Sequence, residues 1–316
     1  GLTASGPAPK SLSVAALKDR GFEKIPSYGV EPIDVPGAVA GWMTLHERFG
    51  KLPLEEVMAL AIRYAEEGYP VTPNISRLWQ EAFENYSKYR ERPEFQGWFD
   101  TFAPNNTWLK PGEMFRCPDM AKTLKEIAAT KGESFYRGAI AEKIDAFFKK
   151  HNGFLTKEDL AAFKPEWVDP ISVNYHGVDV WELPPNGHGI TVLMALQILK
   201  DMKLGERDCV DTMHKQIEAM KLAMVDTAQY VAEPSYMKVS VDQLLSEKYA
   251  AKRRALINDQ AIMPEPGEPG CPSTVYFCCA DGEGNMVSFI QSNFRGFGSG
   301  IVVPGTGISL NDRAEN

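Results

Sequence analysis

Pro272-Ser273-Thr274-Val275-Tyr276-Phe277-Cys278-Cys279-Ala280-Asp281-Gly282-Glu283-Gly284-Asn285-Met286-Val287-Ser288-Phe289-Ile290-Gln291-Ser292 is where this chain of 316 residues changes character. Just before it, Pro264, Pro266, Gly267, Pro269, Gly270 and Pro272 crowd nine residues, which is linker composition. From Thr274 the residues are β-branched and aromatic to Phe277, the strand pattern runs on to Cys279, and Asp281-Gly282-Glu283-Gly284 reads as a turn. Met286 to Ser292 returns as a second strand. Thr274 itself carries two readings. Thr is common in strands and needs no further role. It is also the first residue of a β segment directly after a linker, so a cut between Ser273 and Thr274 would leave a hydroxyl beside a free α-amine. That amine, with a pKa of about 7.7–8.0, suits it to take the hydroxyl proton near neutral pH.

Upstream of the linker the pattern is mainly helical. Leu54, Val57, Met58, Ala61, Ile62 and Ala65 follow helical spacing until Gly68 and Pro70. Leu78, Trp79, Ala82, Phe83 and Tyr86 predict a second helix after Pro73. Others are expected over Met120 to Ala129, Ala139 to Phe148, Ile190 to Leu199 and Asp242 to about Leu256. Thr156-Lys157-Glu158-Asp159 is a cap-like start for a short one. Met213, Ile217, Met220, Met224 and Val231 lie at helical spacing before Pro234, and the spacing predicts that the Met positions face the core. Ile171 to Tyr175 and Val178 to Leu183, joined at His176-Gly177, read as a hairpin. The first forty residues read as loop with short extended pieces, and the aromatic stretch from Tyr89 to Gly112 as surface loop. A polar run to Glu315-Asn316 continues an apparent last strand.

Composition bounds the function. The chain is 44% hydrophobic and 24% charged, a globular balance, with a formal charge of −8 that disfavours non-specific nucleic-acid binding. No run of eighteen apolar residues exists, so no membrane span is expected. The residues from Gly1 on show no signal-peptide pattern. Five Cys cannot all pair, and the adjacent Cys278 and Cys279 point to opposite faces of a strand. Free thiols in a reducing compartment, the cytoplasm, are expected. The five His share no metal-ligand spacing, so no metal is implied. Gly296-Phe297-Gly298-Ser299-Gly300 is followed by the apolar Ile301-Val302-Val303 instead of a helix. This argues against a nucleotide loop and for a tight β connection or a backbone that approaches a ligand.

Thr274-Val275-Tyr276-Phe277, Asp281 to Val287, Gly296 to Gly307 and Asn311 together resemble the start of the small subunit of the γ-glutamyltranspeptidases. Val35-Pro36-Gly37-Ala38-Val39-Ala40-Gly41-Trp42, Gly153-Phe154-Leu155-Thr156 with Asp159-Leu160, and Glu182-Leu183-Pro184-Pro185 with Gly189 resemble their large subunit. Ser288 to Ser292 and Phe297 to Gly307 are most similar to the bacterial branch of glutaryl-cephalosporin acylases and transpeptidase-like proteins. The resemblance implies an α+β fold, the four-layer α-β-β-α sandwich of N-terminal-nucleophile hydrolases with a largely helical large-subunit portion. Residues 1–273 would be the large-subunit portion and 274–316 the start of the small subunit, both cut from one precursor.

By the same resemblance the nucleophile falls on Thr274, and a supporting hydroxyl on Ser292 where the transpeptidases usually carry Thr. The register of the hairpin supports that pairing independently. A turn at Gly282-Glu283 sets residue 274 opposite residue 291 or 292. Asn311 lies in the family's substrate-binding segment. The family's substrate-holding Asn falls on Phe294, its α-amine-binding residue on Arg313, and the Asp that pairs with the substrate ammonium on Asn316. These departures remove a carboxylate and add a cation. An ammonium there would lose its ion pair and face like charge. The expected activity is therefore a self-processing threonine amidohydrolase or acyltransferase that cleaves a γ-glutamyl-like or glutaryl-like amide through an acyl-enzyme. Water or an amine would be the acceptor. No cofactor, nucleic acid or membrane is implied. A true γ-glutamyltransferase acting on glutathione and an uncleaved paralogue that only binds a ligand are the two alternatives.

Overall fold

In the computed structural model, residues 1–264 and 275–315 are described. The linker from residue 265 on, with Ser273 and Thr274, lies outside them, as does Asn316. The described residues mix helices with antiparallel two-stranded sheets. The chain divides into two compact units, one of Gly1–Thr3 with Glu166–Cys271, the other of Ala4–Pro165 with Pro272–Asn316. This division follows packing, whereas the boundary expected at residue 273 follows processing.

The larger unit is built on helices whose ends the sequence marks. Pro53 precedes the helix Leu54–Glu67, which stops at Gly68 where φ is 91°. Thr72 caps Pro73–Tyr86 by accepting a hydrogen bond from the Ile75 amide, with Pro at the first turn where its missing N–H costs nothing. Thr156 and Asp159 form a reciprocal capping box at the start of Lys157–Ala162. Helices also cover Pro118–Thr130 and Ala139–Lys150. Two further helices were not anticipated in the first fifty residues, Val14–Asp19 and Ala38–Phe49.

The core of this unit corrects one expectation. The stretch from Tyr89 to Gly112 is not a surface loop. Pro93–Phe95 is a 3-10 turn and Gln96–Phe102 a helix, and Phe95, Trp98, Phe99 and Phe102 are buried. These four positions have helical i, i+3, i+4, i+7 spacing, hidden because the helix is only seven residues long and everything around it is aromatic too. Tyr86, Trp79 and Phe297 pack on them edge to face or tilted, with ring centroids 4.7–5.8 Å apart where they meet Trp98 and Phe102.

The other unit centres on the helices Ile190–Leu199 and Val210–Tyr230, which pack together, and on the hairpin Ile171–Tyr175 with Val178–Glu182. The expected single helix from Asp242 is two, Val241–Leu244 and Glu247–Arg254, because Ser246 starts a new one by capping the Tyr249 amide. A second correction concerns the Met positions. Met213, Ile217, Met220 and Met224 are exposed by 45, 52, 37 and 38%. The buried side of that helix carries Leu222 between Ala219 and Ala223, and the two small alanines permit close approach. The helix has two apolar stripes, and spacing alone does not say which is covered.

Candidate active site

The expected strands Thr274 to Cys279 and Met286 to Ser292 appear as Val275–Ala280 paired with Met286–Gln291. The register runs from Ala280 opposite Met286 at the turn to Val275 opposite Gln291 at the open end. Asp281 fixes that register. Its carboxylate accepts from the Glu283 and Asn285 amides at 2.9 and 3.0 Å and from Asn285 Nδ2 at 2.8 Å, which holds its pKa below the usual carboxylate range. Gly284, with φ of 87°, takes the left-handed position that the turn requires. At the open end Trp42 Nε1 donates to Gln291 Oε1 at 3.1 Å, tying the second strand to the helix Ala38–Phe49.

Beyond Gln291 the chain turns sharply. Ser292 Oγ accepts from the Phe294 amide at 2.8 Å, and Phe294 adopts φ of 80°, rare for a residue with a side chain. The expected strand Ile301-Val302-Val303 is a single bridge between Val302 and Ser309. The Gly-rich loop is the tight connection expected of it, packed over the aromatic core. Tyr86 donates its hydroxyl to the Gly298 carbonyl at 2.9 Å, and Ser299 Oγ donates to the Leu310 carbonyl at 2.9 Å. A Cβ on Gly298 would lie 2.2 Å from the Leu310 carbonyl oxygen, and φ there is 72°, so only glycine fits.

Phe294, Asn311 and Arg313 come together. Phe294 is buried, and the Arg295 and Arg313 guanidinium carbons lie 5.1 and 4.6 Å from its ring centroid. Arg295 forms an ion pair with Glu315, to which Ser27 also donates. Asn311 has both ends of its amide engaged: Oδ1 accepts from the Asp34 and Arg313 amides at 3.3 and 3.0 Å, and Nδ2 donates to the Asp34 carbonyl at 3.1 Å. Arg313–Glu315 is a 3-10 turn, which replaces the strand expected at the end of the chain. Thr274, Ser273 and Asn316 lie outside the described residues.

Sequence reading missed two buried carboxylates at this place. Asp34 is 9% exposed with Oδ1 unpartnered; burial pushes its pKa up to about 7, against the pull of Arg313. Asp312 is fully buried, and burial raises its pKa to about 6, although Oδ1 accepts from the Arg295 amide. Asp34 sits in Glu31-Pro32-Ile33-Asp34-Val35-Pro36, an acid among apolar residues, the only local sign that it is buried. A separate surface cavity of about 500 Å³, lined by Gln96, Asp100, Lys143, Lys150 and His151 among others, contains none of the expected site residues. Among the described residues no group of His, Cys, Asp and Glu could hold a metal ion, and no helix is long and apolar enough to cross a membrane. Cys117, Cys209, Cys278 and Cys279 are unpaired.

This arrangement has close counterparts. The backbone superimposes on the cephalosporin acylase from Bacillus halodurans with a TM-score of 0.95 at 55% identity, over 100% of this chain and 58% of that one. The γ-glutamyltranspeptidase of Helicobacter pylori follows at TM-score 0.73 and 28% identity, over 83% of this chain and 76% of that one. In sequence the chain is 33% identical to the glutathione hydrolase proenzyme of Pseudomonas aeruginosa, over 98% of its own length and 56% of that protein's. It is also 33% identical to the acylase ACY 1 proenzyme of a Pseudomonas species, over 91% of its length and 52% of that protein's. The chain thus spans about half the length of the curated relatives it matches. The family model described as Gamma-glutamyltranspeptidase matches residues 1–316, from the Pro-Gly turn at Val35 to the hairpin and the Gly-rich loop, and the chain belongs to that family.

Proposed function

We propose that the protein is a self-processing amidohydrolase or acyltransferase in which Thr274, freed at its amine by a cut after Ser273, is the nucleophile. The carrying observation is the hairpin register. Val275 opposes Gln291, and one further step of the same ladder would pair Thr274 with Ser292. Thr274 Oγ would attack the amide carbonyl while its own amine takes the proton, then passes it to the leaving amine as the C–N bond breaks. Water, activated by the same amine, would hydrolyse the resulting ester; an acceptor amine would instead form a new amide. Ser292 would hold the attacking hydroxyl from across the hairpin.

The layered sandwich belongs to this reading as well. Tyr276 and Phe277, neighbours on one strand, point to opposite faces, and both are large, apolar and exposed. Apolar residues on both faces suit a strand meant for an interior layer. Relatives named acylase and glutathione hydrolase support an amide donor, and the family resemblance narrows it to a γ-glutamyl-like or glutaryl-like one. The four unpaired cysteines favour a reducing compartment such as the cytoplasm.

The test is turnover of γ-glutamyl and glutaryl anilides. Thr274→Ala should abolish it, and Ser292→Ala should lower kcat by roughly 10- to 1000-fold, the scale of one polar catalytic contact, with the fold intact. Full turnover in Thr274→Ala would overturn the reading. Unchanged turnover in Ser292→Ala would remove that residue from the site.

A further inference from the structure

The helix Ala38–Phe49 starts at Gly37, which has no side chain to cap it. Tyr136, buried on the short helix Glu133–Arg137, supplies the cap from outside. Its hydroxyl accepts from the Ala40 amide at 3.0 Å and donates to the Pro36 carbonyl at 2.8 Å, so one group satisfies an orphan amide and pins the chain entering the helix. A Cβ on Gly37 would lie 1.8 Å from the Ala4 carbonyl oxygen, so the same helix start is packed directly on backbone. One turn further on stands Trp42, whose Nε1 donates to Gln291 Oε1 at 3.1 Å. An indole N–H can only donate, so it selects the amide oxygen of Gln291 and orients that side chain. Gln291 is the last paired residue of the hairpin, opposite Val275. Among the described residues no other side-chain hydrogen bond joins the strands Val275–Ala280 and Met286–Gln291 to the rest of the chain.

We infer that Trp42 is a positioning residue: through Gln291 it fixes the open end of the hairpin, and with it the meeting of the Thr274 and Ser292 hydroxyls. The inference rests on the proposed acyl-transfer reading and adds to it the group that holds the nucleophile in register. Neighbours on a strand point to opposite faces, so Gln291 and the indole that grips it lie behind the face on which Thr274 and Ser292 would meet. Trp42 therefore acts on geometry and touches neither the donor nor the reacting atoms. A cut after Ser273 would remove one covalent tether from Thr274. The ladder to the second strand, and the Gln291 anchor behind it, would then set where the hydroxyl points. Because the anchoring helix is itself clamped by Tyr136, the indole carries the order of the packed part of the unit out to an exposed element.

Two measurements on the full chain test this. Trp42→Phe keeps an aromatic ring on the helix and removes the donor, while Gln291→Leu removes the acceptor. Each should lower kcat for the anilides by roughly 5- to 50-fold, between the loss of one hydrogen bond and the misplacement of a reacting group, with KM and the unfolding midpoint unchanged. The double variant should be no slower than the slower single one, because both break the same bond. Gln291→Glu keeps an acceptor for the indole and should restore most of what Gln291→Leu loses. A merely structural Trp42 would lower the midpoint and show no such rescue. The second measurement needs no turnover. In the Thr274→Ala chain, adding Trp42→Phe should speed amide hydrogen exchange in the hairpin several-fold and leave the loop from Gly298 to Leu310 unchanged. Wild-type kcat in Trp42→Phe, additive losses in the double variant, or hairpin exchange that changes no more than the loop's would overturn the inference. Hairpin-specific exchange in a protein whose turnover does not need Thr274 would leave the anchor standing and reject the acyl-transfer reading instead.

Discussion

The hairpin from Val275 to Gln291 and the loop from Phe297 to Asp312 are neighbours in sequence and opposites in packing. From Tyr276 to Gln291 every side chain except Phe289 is exposed, and the described ladder has two strands only. From Gly298 to Val303, and again from Thr306 to Ile308, every residue is buried against Trp79, Tyr86, Trp98 and their neighbours. The loop is positioned by a large aromatic core. The hairpin is held by its own register, by its turn and, among the described residues, by the bond from Trp42 to Gln291. The residues after Ser292 proposed to face substrate therefore stand on a packed aromatic floor, while the proposed nucleophile belongs to the less supported element.

Trp98→Ala and Ile290→Ala contrast these regions most sharply. Trp98 is fully buried beneath the loop, so truncation should cost about 3–5 kcal/mol in denaturant unfolding. Ile290 is 61% exposed, and its truncation should cost less than about 0.5 kcal/mol. A large loss from Ile290→Ala would mean that the hairpin is covered by a further layer in the protein studied, and the contrast would then be one of chain length.

Acidity sharpens the same comparison with a smaller effect. Asp34 lies under the loop with its pKa raised to about 7, above the 3.8 of an unburied Asp. Between these values the folded protein holds a proton that the unfolded chain has lost, so the unfolded state binds fewer protons and stability falls as pH rises. Unfolding free energy should decline from about pH 4 to about pH 7, and Asp34→Asn should flatten that slope. Asp281, on the hairpin, has its pKa lowered by exposed hydrogen bonds; it favours stability above the unfolded value and loses that contribution as pH falls through the folded one. A slope unchanged by Asp34→Asn would mean that its carboxyl is solvated.

Much of this was legible in the sequence where local chemistry dictates structure. Pro73 after Thr72, the Thr156–Asp159 box and the Asp281–Gly284 turn each carry their own hydrogen-bond logic, and each element forms where it was expected. The misreadings share a cause. Phe95 to Phe102 and Met213 to Met224 are apolar in pattern, and which of them is covered depends on partners distant in sequence. Asp34 was invisible for the same reason: Asn311 and Arg313, 277 and 279 positions away, give it meaning. The family resemblance placed Phe294 and Arg313 near a substrate, but not the stacking of one on the other.

The account depends most on a free amine at Thr274, and mass analysis of the purified protein tests it directly. The expected result is two polypeptides, the second beginning at Thr274, with Thr274→Ala remaining a single chain. A single uncut polypeptide that hydrolyses the anilides at full rate would contradict it, because an amide-bonded Thr274 nitrogen has no lone pair to accept the hydroxyl proton.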